Sequence, residues 1–147
     1  MSIAKNVAKL RVVLDSNVYI SAFTHPQGRL HQIWRQAVQG SYHLVVSPAI
    51  VNEVGGVLRV KFDWHGDQIT ARLKLLVKVA EIVRPSQVLL VIKEDPDDNR
   101  ILECAVQGRA DLIVSADHHI RRLKSYQGVG IASPTDFLRT LGLCSAC

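Results

Sequence analysis

Four acidic residues, Asp15, Glu53, Asp98 and Asp117, stand where a folded chain could bring them together. Asp15 ends the aliphatic run Leu10 to Leu14, and Asp117 lies just beyond the run Leu112 to Val114. Short continuous aliphatic runs read as buried strands, and in open α/β sheets ligands sit at the carboxyl ends of strands. The cluster Glu94, Asp95, Asp97 and Asp98 opens a helical pattern that enters the same edge. Hard divalent cations such as Mg²⁺ or Mn²⁺ want several oxygen ligands, and a few carboxylates around a half-open site leave room for water and a substrate phosphate. That is the equipment of metal-assisted phosphodiester hydrolysis.

Each acid also has a plainer role open to it. Asp15 could cap the helix containing Val18, Ile20 and Ala22, Asp117 could be a cap or turn residue, and Glu53 could be solvated. Asp95, before Pro96, reads as the N-cap of the next helix. Asp98 stands apart, because at 3.6 residues per turn it projects roughly 15° from the centre of the apolar face made by Ile101, Leu102, Cys104, Ala105 and Val106. By the same projection Asp97 is roughly 85° away and Glu103 lies almost opposite. An inward carboxylate is costly unless something positive neutralises it, and a metal would do so.

The elements that must position these residues alternate. Leu10 to Leu14, Tyr42 to Val46 and Leu112 to Val114 read as strands, with Glu81 to Val83 and Val88 to Ile92 as weaker candidates. Between them, apolar residues fall at helical spacing: Leu30, Ile33, Trp34, Ala37 and Val38, then Ile50, Val54, Val57 and Leu58, then Leu73, Leu76, Val77 and Ala80. Ser47 with Pro48 gives the second of these helices a cap and a first-turn proline. This alternation predicts a three-layer α/β domain, a doubly wound, mostly parallel sheet with helices on both faces. One domain is expected over residues 10–141, after an extension at 1–9 and before a tail at 142–147.

Composition narrows the partners. The chain of 147 residues is 48% hydrophobic, its longest apolar stretch is the five residues Val88 to Ile92, and a spanning helix needs about 18 or more. No secretory signal is readable in Met1 to Leu14, and three cysteines make no disulfide framework, so no membrane is expected and the cytoplasm is the expected compartment. A formal charge of +5 permits attraction to nucleic acid. Arg29, Arg59, Lys61, Arg72, Lys74, Arg100, Arg109 and Lys124 are available to a polyanion, but Arg121 and Arg122, a short step after Asp117, are the pair expected to receive it. Few aromatics beyond Phe23, Trp34 and Trp64 argue against extensive base stacking.

The segments VVLDSNVYISAF at 12–23, VVSPAIVNEV at 45–54, DPDDNRILECA at 95–105 and ADLIVSADHHI at 110–120 together resemble a PIN-domain nuclease, in the branch that serves as toxins of toxin–antitoxin systems. The ordered set, rather than any one motif, carries the likeness. It implies a Rossmann-like doubly wound sheet and an acidic pocket for Mg²⁺ or Mn²⁺, with single-stranded RNA as substrate. Asp15, Glu53, Asp98 and Asp117 match the family's acidic positions, and Ser16 or Asn17 matches the small polar position after the first Asp. Family habit further implies a homodimer and an antitoxin protein as partner.

Two departures stand out. The family often continues after the last Asp with a charged pair, where this chain has His118 and His119, which could ligate metal, contact phosphate or lie exposed. At Glu53 no second Glu accompanies the first, because the preceding residue is Asn52.

Other classes remain open at this point. A phospho-receiver module also clusters acids around Mg²⁺, but no Lys ending a late strand is evident. Aspartyl-phosphate phosphatases place a second Asp two positions after the first, where this chain has Asn17. A PIN-like module that mainly binds RNA or a partner would keep the same acids. Cys144 and Cys147 have redox-motif spacing, yet at the chain end they read as part of a frayed tail.

Overall fold

The computed structural model describes residues 10–143, so the extension at 1–9 and the tail cysteines Cys144 and Cys147 lie outside the described residues. Six strands form one sheet: β1 (Arg11–Leu14), β2 (His43–Val46), β3 (Glu81–Ile82), β4 (Leu112–Val114), β5 (Ser125–Tyr126) and β6 (Val129–Ala132), in the order β3-β2-β1-β4-β6-β5. All pairings are parallel except that of β5 with β6. Helices α1 (Ser16–Thr24) and α2 (Arg29–Val38) join β1 to β2, and α3 (Pro48–Phe62) and α4 (Gly66–Val79) join β2 to β3. Helix α5 (Asp98–Gln107) precedes β4, α6 (His118–Arg121) follows it, and α7 (Pro134–Thr140) closes the fold.

Val12, Val13 and Leu14 are all at most 1% exposed. Successive strand residues face opposite sides of a sheet, so helices must cover both faces, as the aliphatic runs predict. Val45 and Val46, next door on β2, are equally buried. The chain steps outward from β1 to β2 and β3, then returns across β1 to β4. That reversal opens a crevice at the carboxyl ends of β1 and β4.

Ser47 caps α3 as expected, accepting the Ile50 N–H at 3.4 Å with Pro48 in the first turn. Gly108, just after α5, lets the helix approach β2 closely, since a Cβ there would lie 2.5 Å from Val45 Cγ1. At the amino end of the sheet, Glu81 of edge strand β3 accepts from Arg11 at 3.1 and 3.2 Å and lies 2.8 Å from the His43 ring, linking three neighbouring strands.

Four sequence expectations are corrected. Val88 to Ile92 is not a strand: Asn99 on α5 accepts from Val91 N (3.0 Å) and Ile92 N (2.8 Å) and donates to Ile92 O (2.8 Å), taking the bonds a neighbouring strand would have offered. The same segment covers Glu103, which is 7% exposed rather than outward-facing, accepts the Leu89 N–H at 2.8 Å and pairs with Arg100 at 2.7 Å. Regular helix begins at Asp98, while Asp95 caps the preceding turn by accepting from Asp97 N at 3.2 Å. On α4 the apolar stripe is only partly used, with Leu76 buried and Val77 42% exposed.

The β5–β6 hairpin is the element that periodicity did not announce. Its two-residue turn puts Gln127 at φ 48° and Gly128 at φ 83°, the left-handed pair that tight hairpins require.

Asn99→Ala is expected to lower stability by about 2–3 kcal/mol, because it strands buried amides and a carbonyl of the 88–92 segment. Urea unfolding checks this, and a loss under half a kcal/mol would show that the segment is not held by Asn99.

Candidate functional site

Asp15 follows β1 directly and its amide donates to Val114 O of β4 at 3.0 Å, so it sits at the crevice between the two strands. It is 4% exposed, stands at the N-cap position of α1 with the Asn17 amide close enough to favour its charged form, and is buried more deeply than capping alone requires. Its Oδ2 accepts from the Ser115 hydroxyl at 2.7 Å. The same Ser115 Oγ accepts the Asp117 N–H at 3.0 Å. One fully buried serine at the end of β4 therefore ties two of the acids together. Sequence reading gave Ser115 no role; the available signal was a small polar residue closing a buried strand two positions before an acid.

Asp117 does cap α6, accepting the His119 N–H with Oδ1 at 2.7 Å. Asp98 comes in from the first turn of α5 at 7% exposure, and its Oδ2 has no hydrogen-bond partner among the described residues. One donor atom each from Asp98, Asp117 and His119 lie within 4.8 Å of one another. Glu53, half-buried on α3, lines an open cavity of about 420 Å³ with Ala49, Asn52, Asp97 and Arg100.

Crowding shows in the proton affinities. Burial pushes the Asp98 carboxyl up to about 7, with the negative charges of Asp117, Asp95, Asp15 and Glu53 adding to the rise. Burial also raises Asp15; the Ser115 hydroxyl partly offsets this, while Asp117 and Glu53 push it further up. Asp15 and Asp98 thus both lie in the field of Asp117 and Glu53. Their oxygens, half sheltered and short of donors, suit a dication that would neutralise them.

The supporting residues separate. Ser16 is buried, with its Oγ unpartnered among the described residues, while Asn17 is exposed. Arg121 and Arg122 are exposed, and Arg122 pairs with Glu94 at 2.5 Å, holding that carboxyl down to about 2. Arg72 lies over the Phe23 ring at 4.8 Å and the Trp64 ring at 5.8 Å.

A family model described as the PIN domain matches residues 11–119, which takes in all four acids. The chain belongs to the PIN-domain family. A relative, an uncharacterized protein of Methanocaldococcus jannaschii, is 29% identical over 121 residues, covering 79% of this chain and 76% of its own. The PIN fold also recurs in solved structures. One is VapBC2 from Rickettsia felis bound to a DNA fragment from its promoter (TM-score 0.58, 15% identity, 84% of this chain and 98% of that one). Another is PAE2754 from Pyrobaculum aerophilum (TM-score 0.55, 14% identity, 92% and 90%). At these identities the two structures speak for the fold. No helix among the described residues of this PIN domain is long and apolar enough to cross a membrane.

Proposed function

We propose that this PIN-domain chain is a metal-dependent endoribonuclease that hydrolyses phosphodiester bonds of single-stranded RNA in the cytoplasm. The observation that carries the proposal is Asp98: a buried carboxylate with an unpartnered oxygen in the first turn of α5, near enough to Asp15 after β1, Asp117 after β4 and Glu53 of α3 to feel their charge. Asp15, Asp98 and Asp117, with Glu53, would hold Mg²⁺ or Mn²⁺, which when bound supplies Lewis-acid activation of water and neutralises charge developing on the phosphate.

The protein's own groups do the rest. Ser115 fixes the Asp15 carboxylate by donating to Oδ2, and Asp117 is fixed twice, by its own N–H to Ser115 and by Oδ1 to His119 N–H. Glu53, whose charge reaches both Asp15 and Asp98, would be a further metal ligand or the base that takes the proton of an attacking water. Arg121 and Arg122, exposed beside Asp117, supply positive charge for the RNA backbone, Arg122 exchanging Glu94 for a phosphate.

The toxin role and its partners belong to the same proposal. VapBC2 of Rickettsia felis is bound to promoter DNA, and the resemblance of this chain's motifs to PIN toxins extends that setting to it, with an antitoxin protein as partner and a homodimer as the working form. Membership of the PIN family argues against the phospho-receiver alternative.

The test is cleavage of an end-labelled single-stranded RNA in Mn²⁺, Mg²⁺ or EDTA. Internal cuts that need the cation support the proposal, and cutting that survives EDTA counts against it. Ser115→Ala is expected to weaken Mn²⁺ binding by roughly 10–100-fold, the usual effect of losing a group that orients a metal ligand. Calorimetry on the folded variant measures this, and unchanged affinity would mean Asp15 needs no such hold.

A further inference from the structure

The three donors that approach within 4.8 Å of one another are not all oxygen: Asp98 and Asp117 are carboxylates, and the third is the imidazole of His119. Ligand bonds of about 2.1 Å put opposite donors about 4.2 Å apart, so small side-chain rotations close the group onto one ion. Two observations seat His119 in it. Its backbone N–H donates to Asp117 Oδ1 at 2.7 Å, so ring and carboxylate share one helical turn. Facing them, Asp98 is 7% exposed with an oxygen that has no partner among the described residues, which is costly to keep without a cation. The neighbouring His118 is exposed, meets the His119 ring edge-on at 4.0 Å and is not part of the group.

Mg²⁺ prefers oxygen ligands in near-ideal octahedral geometry and sheds water reluctantly. Imidazole suits first-row transition dications, whose affinity for a nitrogen-containing site rises along the series from Mn²⁺; Mn²⁺, the hardest of them and itself at home among carboxylates, is the most stringent case against Mg²⁺. We infer that His119 gives this site a nitrogen ligand, and that the site takes a first-row transition dication such as Mn²⁺ in preference to Mg²⁺. The inference rests on the proposed metal site but not on the RNA or the reaction. Glu94 is the competing attraction for the ring, and it is already held by Arg122 at 2.5 Å.

The experiment uses the full chain, stripped with EDTA and titrated with Mn²⁺ and with Mg²⁺ by calorimetry, the bound Mn²⁺ then being read by pulsed electron paramagnetic resonance. A directly coordinated nitrogen is expected in wild type and in His118→Asp, and none in His119→Asp. His119→Asp should still bind Mn²⁺, because it offers a carboxylate in place of the ring, but its Mn²⁺ over Mg²⁺ preference should fall on the order of tenfold. Thermal unfolding confirms that the variants are folded.

The inference is overturned by bound Mn²⁺ without nitrogen coupling, by a preference unchanged in His119→Asp, by coupling lost in His118→Asp instead, or by Mn²⁺ binding that survives Asp98→Asn. Nitrogen coupling in a protein that cuts no RNA would leave this inference standing and remove the ribonuclease reading.

Discussion

Asp98→Asn and Asp15→Asn are each expected to lower metal-dependent RNA cleavage by roughly 10²–10³-fold, the scale seen when one preorganised electrostatic group is lost from an active site. Both substitutions keep the shape of the side chain, so the loss would come from charge rather than packing. Asp15 in its amide form keeps the Ser115 hydroxyl as a neighbour, and Asp98 in its amide form removes the carboxylate whose oxygen lacks a partner. Asp136→Asn provides the control: that residue is exposed on α7 and its carboxylate pairs with Arg139 at 3.4 Å, away from the acids of the site. Single-turnover cleavage of a labelled RNA is the measurement. If Asp98→Asn cuts as fast as wild type at the same Mn²⁺ concentration, the site has been assigned to the wrong residues.

The second large effect is a reversal of stability with metal. The folded Asp98 carboxyl is raised to about 7 against an ordinary 3.8, so folding favours its neutral form. Below pH 4 the group is neutral in both folded and unfolded chains and nothing is lost. As pH rises from 4 through 7 the unfolded chain ionises freely while the folded one resists, and stability falls.

Asp98→Asn removes that slope. In EDTA its melting temperature should match wild type near pH 4 and exceed it by several degrees at pH 8. In Mn²⁺ the order should invert, because the ion binds only the native wild type; at a hundred times its dissociation constant it adds about 2.7 kcal/mol. A variant that melts below wild type in EDTA at pH 8 would show that Asp98 is stabilised by something other than a cation.

Much of this was legible in the chain, and the limits have physical causes. Strands β1, β2 and β4 were visible because parallel strands buried on both faces read as unbroken aliphatic runs. Asp98 was separable from its acidic neighbours because a helix projection distinguishes an inward carboxylate from capping ones.

The same projection misjudged Glu103. Periodicity sees only the helix, whereas the surface opposite the core face of α5 is covered by the 88–92 segment, which Asn99 and Glu103 themselves hold in place. That segment was mistaken for a strand for the complementary reason: its apolar run is real, but its amides bond to side chains. Ser115 left only a faint signal, because its hold on Asp15 depends on the pairing of β1 with β4, and the approach of His119 to Asp98 was out of reach, because it depends on how α5 and α6 converge from distant parts of the chain.

The sheet ends on both sides in strands of two residues, β3 and β5. One terminal ribbon is clamped by Arg11 and His43 through Glu81, and the other is turned antiparallel by the Gln127–Gly128 turn. Neither margin offers a long row of free backbone groups, so a second chain finds no template on which to lengthen the sheet, and runaway strand-to-strand polymerisation is blocked at its first step. Among the described residues this leaves the helical surfaces rather than the sheet margins for self-association, and the domain can reach high concentration without seeding fibres from its edges.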